Sequence, residues 1–199
     1  MRSRWIKVAV FALGLAPLAW MGWRTWNRDL TANPVEYLQH FTGNWTLRLI
    51  VATLAVTPLR KLLRLPALIR FRRMVGLFAF FYGCLHFTTY LWLDKDFELR
   101  EMLKDVGKRP FITAGFAALL LMAPLAVTST AGWIRRLGGK RWQLLHRLVY
   151  LSATAAVVHY YWLVKSDVRL PLLYATLVAL LLAYRLIAAS RRPAPRTAR

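Results

Sequence analysis

The sequence predicts an all-α integral membrane bundle of six transmembrane helices forming one domain over residues 1–199. Three observations predict it. Hydrophobic residues make up 58% of the 199-residue chain, against ~45–50% in soluble domains. The apolar residues fall in runs near the ~20 residues that a helix needs to cross a bilayer. The charges between those runs alternate in kind along the chain.

The expected spans are residues 7–24, 42–59, 74–93, 110–130, 142–164 and 170–189. The third is the clearest, with no charge between Met74 and Leu93. The fourth lies in an uncharged stretch from Pro110 to Ile134. The fifth is uncharged from Leu148 to Val164 and extends back through His146 to Trp142. The sixth is uncharged up to Tyr184, with Arg185 close enough to its end to snorkel. The second is the weakest, because Arg48 interrupts it; from the first turns its guanidinium reaches toward the headgroups. The first has the basic start and apolar core of a signal peptide. Its small-x-small pattern is poor and bulky Trp20, Trp23 and Trp26 follow, so a retained helix is expected.

The charges orient the bundle. Arg2, Arg4 and Lys7 precede the first span. Arg60, Lys61, Arg64, Arg70, Arg72 and Arg73 fill the second connection, and Arg135, Arg136, Lys140 and Arg141 the fourth. Arg191, Arg192, Arg196 and Arg199 mark a Pro/Arg tail, expected to be disordered. All eight acids lie in the other three connections. The positive-inside rule then puts both termini in the cytoplasm. The net charge of +21 comes from these short clusters, so no nucleic-acid footprint is read from it. The single cysteine, Cys84, excludes an internal disulfide and reads as a small buried hydrophobe. No phosphate loop, dinucleotide fingerprint or internal repeat is visible.

An ionisable group within a span is costly and therefore a functional candidate. Three of the four histidines qualify: His86 in the third span, and His146 and His159 in the fifth. No acid lies in any span, which argues against a carboxylate proton relay or a hard-metal site. Neutral imidazoles without thiolates suit the axial positions of heme iron. The third and fifth spans run in the same direction. His86 lies eight residues before Asp94 and His159 six before Lys165, so the two sit at similar depth near the outer end. His146 is about 20 Å lower, level with Arg72 on the third span. On an ideal helix His146 and His159 differ in phase by ~140° and cannot both face the third helix squarely.

Each residue also has a plainer use. A membrane histidine can simply hydrogen-bond a neighbouring helix. Arg72 reads either as part of the cationic flank or as a group holding heme propionates or covering an iron position. His40 reads as a surface residue. Arg109, Lys165, Arg141 and Arg147 are candidate partners for carboxylates at the membrane surface, and residues 94–109 a candidate docking surface. A cofactor-free transporter and a membrane scaffold are the competing function classes.

Arg72-Arg73-Met74-Val75-Gly76-Leu77, Leu85-His86-Phe87-Thr88 and Trp142-Gln143-Leu144-Leu145-His146-Arg147-Leu148-Val149-Tyr150 with His159 resemble the ferric-reductase-like transmembrane superfamily. The six-helix form without a flavin domain resembles its MsrQ (YedZ) family, the heme-binding membrane subunits of the bacterial protein-methionine-sulfoxide reductase system. The resemblance implies heme b, one or two per chain, carried by His86, His146 and His159, and an association with FMN. It implies an inner-membrane electron-transfer subunit, without substrate turnover of its own. The donor it implies is quinol or a cytosolic flavin reductase, and the acceptor a periplasmic molybdopterin-containing MsrP-type reductase that repairs oxidised proteins. Larger superfamily members carry two histidines on each of the two helices, whereas here Arg72 occupies the inner position of the third.

Overall fold

The computed structural model describes residues 2–190. The Pro/Arg tail lies outside the described residues. The described chain is helical throughout, without strands: α1 (Arg2–Trp26), α2 (Pro34–Leu62), α3 (Ile69–Thr89), α4 (Leu99–Lys108), α5 (Pro110–Val127), α6 (Ala131–Leu145), α7 (Leu148–Leu163) and α8 (Arg169–Ser190). A 3-10 turn, Pro66–Leu68, leads into α3, and a π-helical turn, Tyr90–Asp94, leads out of it.

Four helical stretches are long and apolar enough to cross a membrane: Arg4–Trp26, Pro66–Asp94, Pro110–Val127 and Arg169–Ser190. Leu148–Leu163 is a shorter apolar helix. The second expected span is 29 residues long in the structure, about 43 Å of helix. It looked weakest because it carries polar residues, yet it lies in the middle of the bundle against α3, α7 and α8. Thr42, Leu47, Ile50, Thr53 and Leu54 are all buried there. The threonines suit that position because Thr42, Thr46 and Thr53 return their hydroxyls to carbonyls of the preceding turn. Arg48 donates to the Tyr174 hydroxyl and lies over the Trp45 ring. The core gathers Leu47, Ile50 and Leu54 with Ala79, Met122, Ala153, Val157 and Val178.

Expected and observed boundaries differ most at the fifth span. Instead of one helix over 142–164, α6 ends at Leu145 and α7 starts at Leu148. His146 caps α6, its amide bonded to the Trp142 and Leu144 carbonyls. Gly138, with φ 73° and ψ 153°, breaks α6 once more. Counting 100° per residue from His159 back to His146 therefore does not apply. Arg185 also departs from expectation: it turns inward, donating to the Leu181 and Leu54 carbonyls with its guanidinium over the Tyr150 ring. Backbone carbonyls within reach outcompete distant headgroups for its donors.

The helix α1 packs on α3 through a chemical substitution in its own hydrogen-bond ladder. Pro17 interrupts that ladder. One residue on, the Leu18 amide donates at 3.0 Å to the Tyr82 hydroxyl, which donates in turn to the Gly14 carbonyl at 2.9 Å. Tyr82 is fully buried. A Cβ on Gly14 would overlap the Phe78 ring, so the close approach needs glycine there. Replacing Tyr82 by Phe removes both bonds and should cost about 1–3 kcal/mol. Thermal unfolding of the detergent-purified variant checks this; an unchanged midpoint would show that α1 is held by other means.

Candidate functional site

The histidine pair sits where two tightly packed helix pairs meet. α3 lies along α2, and α7 along α5; these are the most extensive packings in the chain. His86 on α3 and His159 on α7 face each other with ring centroids 6.1 Å apart and planes at 66°. His86 Nδ1 lies 3.0 Å from the Gln39 carbonyl of α2, with the Thr42 hydroxyl at 3.4 Å. His159 Nδ1 lies 2.6 Å from the Phe111 carbonyl of α5. A carbonyl only accepts, so Nδ1 carries the hydrogen in both rings. That tautomer leaves Nε2, with its lone pair, as the nitrogen that each ring presents to a metal.

A cavity of about 340 Å³ surrounds the pair, within the ~300–1,000 Å³ usual for small-molecule pockets. Its walls are largely apolar, with Leu47, Ile50, Phe87, Phe116, Leu119 and Met122 among them. Polar groups gather at one end: Gln39, His40, Asn44, Asp94 and Arg109. His40 is exposed, as expected, and also lines this mouth. Of the four basic residues suggested as carboxylate partners, Arg109 lines the cavity; Arg141, Arg147 and Lys165 are exposed and are not among its lining residues.

The donor set fits a porphyrin better than a bare ion. Two imidazoles on opposite sides of one metal, each at about 2 Å, place their centroids about 6 Å apart. Among the described residues no group of three or more His, Cys, Asp or Glu is arranged to hold a metal ion. His86 and His159 would suffice to hold a heme, because the macrocycle itself would supply the iron's remaining donors.

His146 and Arg72 come together at the other end, close enough for the guanidinium to act on the imidazole. They are apart from the pair's cavity. His146 stacks on Trp142 with centroids 3.8 Å apart, and its Nε2 lies 3.2 Å from the Thr128 hydroxyl. Thr128 in turn donates to the Pro124 carbonyl and accepts the Trp142 indole N–H on its own carbonyl. Arg72 also interacts with Tyr150 and Arg185. These partners escaped the sequence reading. Threonines, tyrosines and carbonyls give no pattern until the helices are paired.

Residues 94–109 border the mouth of the pair's cavity, with Asp94, Val106 and Arg109 among the lining residues. α4 is amphipathic, with Met102 buried and Leu99 and Leu103 exposed. Asp105 is its anchor, accepting from Lys95 at 2.7 Å and Tyr90 at 3.1 Å, with the Arg109 guanidinium 3.4 Å away.

Comparison with known proteins gives the family. The profile of the family described as "Ferric reductase like transmembrane component" matches residues 42–157, a stretch holding α3, α5, most of α2 and most of α7. The protein-methionine-sulfoxide reductase heme-binding subunit MsrQ of Herminiimonas arsenicoxydans is 53% identical over 182 residues, covering 90% of this chain and 84% of that protein. The MsrQ subunit of Bordetella parapertussis is 52% identical over 189 residues, covering 94% of this chain and 91% of its own. That of Polaromonas naphthalenivorans is 47% identical over 191 residues, covering 92% and 87%.

The chain belongs to the MsrQ family. As an MsrQ-family chain it is a multi-pass membrane protein; the family profile includes His86 and ends on α7 two residues before His159.

Asp105 supplies a pH test of this segment. The Lys95 ammonium holds its carboxyl below the usual carboxylate range, against the opposing effect of burial, with the Tyr90 hydroxyl adding to the depression. A depressed value means that the contribution is present above the unfolded pKa of about 3.9 and is lost as pH falls through the folded one. Protection of the amides across residues 95–108 against hydrogen exchange, relative to the intrinsic rate at each pH, should therefore fall only below about pH 4. In Asp105→Asn it should already be low at neutral pH.

Proposed function

We propose that this MsrQ-family chain is a heme b-containing electron-transfer subunit, with His86 and His159 as axial ligands. Electrons come from quinol or a cytosolic flavin reductase. They leave to a periplasmic molybdopterin-containing reductase of the MsrP type, which repairs methionine sulfoxide in envelope proteins. The relatives are named heme-binding subunits of a protein-methionine-sulfoxide reductase. The observation that carries the ligand assignment is the pair of imidazoles 6.1 Å apart across an apolar cavity, each with Nδ1 bound to a helix carbonyl.

When bound, heme supplies a reversible one-electron iron couple. The chain's own part is structural. Gln39 and Phe111 carbonyls lock the tautomer and raise the basicity of each imidazole. Apolar side chains exclude water and lower the local dielectric, which tunes the potential. Arg109, at the polar mouth, is placed to meet carboxylates there, since a guanidinium binds them well. α4 and the π-helical turn cover the same end and form the proposed docking surface for the reductase.

The proposed setting is the bacterial inner membrane, with six spans and both termini cytoplasmic. The positive-inside pattern supports that orientation. α2, with the last turns of α6 joined to α7, completes the six. His146, beside Arg72, is the proposed locus of a second heme. FMN is a second proposed cofactor, on family resemblance.

A pyridine hemochrome assay on detergent-purified protein tests the ligands. His86→Ala and His159→Ala should each lose most of the heme and its low-spin spectrum, while His146→Ala should keep the outer heme. Undiminished heme in both of the first two variants would remove the assignment. For the second locus, an unchanged heme count in His146→Ala would confine the cofactor to the outer pair.

A further inference from the structure

The two carbonyls that fix the histidines share a local design. Gln39 stands four residues before Gly43 on α2, and Phe111 four residues before Gly115 on α5. In a helix, the carbonyl of one residue lies beneath the residue four positions on. To reach the carbonyl, the imidazole must lie across that next residue's Cα. At both places that residue is glycine. A Cβ on Gly115 would stand 2.7 Å from His159 Nδ1 and 3.0 Å from its Cε1. A Cβ on Gly43 would stand 3.1 Å from His86 Cε1 and 3.2 Å from Nδ1. The side chains of other helical residues would hold the rings off the helix and break the bond.

The arrangement is repeated. Each carbonyl precedes its histidine by nearly the same distance in sequence, 47 residues in the first case and 48 in the second. Each belongs to one of the two most closely packed helix pairs, α2 with α3 and α5 with α7. The inner ends correspond too, with Arg72 14 residues before His86 and His146 13 before His159. No repeat is visible in the sequence, because the shared parts are a missing side chain and a backbone atom.

We propose that Gly43 and Gly115 are positioning residues for the redox site. Each lets an imidazole lie flat enough on the neighbouring helix for Nδ1–H to reach the carbonyl below, which sets the ring's tautomer, aim and basicity. The proposal rests on reading His86 and His159 as the ligands, and the two fail separately.

The test uses heme-loaded protein purified in detergent, comparing Gly43→Ala and Gly115→Ala with Gly22→Ala, whose added methyl meets nothing within 4 Å. Gly115→Ala should lower heme affinity about tenfold or more, and Gly43→Ala less, in keeping with its longer contact. Heme that remains should show a shifted low-spin ferric EPR signal. Its midpoint potential should be more positive, because an imidazole without its carbonyl bond donates less electron density to the iron. Gly22→Ala should match the parent in all three. Wild-type affinity, EPR signal and potential in both glycine variants, alongside heme loss in His86→Ala and His159→Ala, would overturn the proposal and leave the ligands standing. Heme retained in those two histidine variants would instead remove the ligands. Should Gly115→Ala lose its fold, a double-mutant cycle decides. If the methyl acts through the imidazole, it costs no further thermal stability in a His159→Ala background. An equal cost in both backgrounds would assign Gly115 to helix packing and overturn its positioning role.

Discussion

The functional half of this bundle depends on one interaction: an imidazole N–H donated to a helix carbonyl in a low-dielectric interior. A neutral histidine in a membrane span has two nitrogens to satisfy and no water to satisfy them. Binding Nδ1 to a main-chain carbonyl removes one demand and leaves the other nitrogen with a lone pair, in a ring that lines the cavity. The interaction occurs twice, from opposite sides, and the two rings end 6.1 Å apart. A metal held by such a pair needs no carboxylate or thiolate. No acid lies within the spans expected from the sequence, which is consistent with that economy.

The surrounding architecture can be read as what this interaction requires. A ring can reach a neighbour's backbone only if the helices approach closely, and α2 with α3 and α5 with α7 pack most extensively among the described helices. Tyr82 applies similar chemistry to another problem: its hydroxyl takes a place in the α1 ladder that Pro17 has disturbed and so ties that helix to α3. Arg185, carrying a charge with no acid nearby in sequence, spreads its donors over two carbonyls and an aromatic face. In all these cases the backbone serves as the polar partner, as it must where side-chain acceptors are few.

Much of the fold was legible in advance because membrane thickness imposes a length on each apolar run. The third, fourth and sixth helices lie close to their expected places for that reason. α2 was harder to read. Arg48 and its threonines look unsuited to lipid, and only neighbours on several sides make them suited to their place. The fifth span misled in the opposite way. Extending the span back from Leu148 through Arg147 and His146 to Trp142 misses the turn at His146, a local change of winding that the composition does not announce.

Composition, spacing and charge by themselves determined a membrane bundle, its candidate histidines and the matching depth of His86 and His159. These follow from one-dimensional quantities: run length, rise per residue and the sign of the flanking charges. Tertiary structure alone decided which nitrogen of each ring is free, that His146 lies beside Thr128 and Trp142 instead of in the cavity, and that Arg109 lies at its mouth. It also decided the role of Gly43 and Gly115. A carbonyl oxygen is present at every residue and a glycine has no side chain to announce itself, so neither carries information until another helix is laid against it.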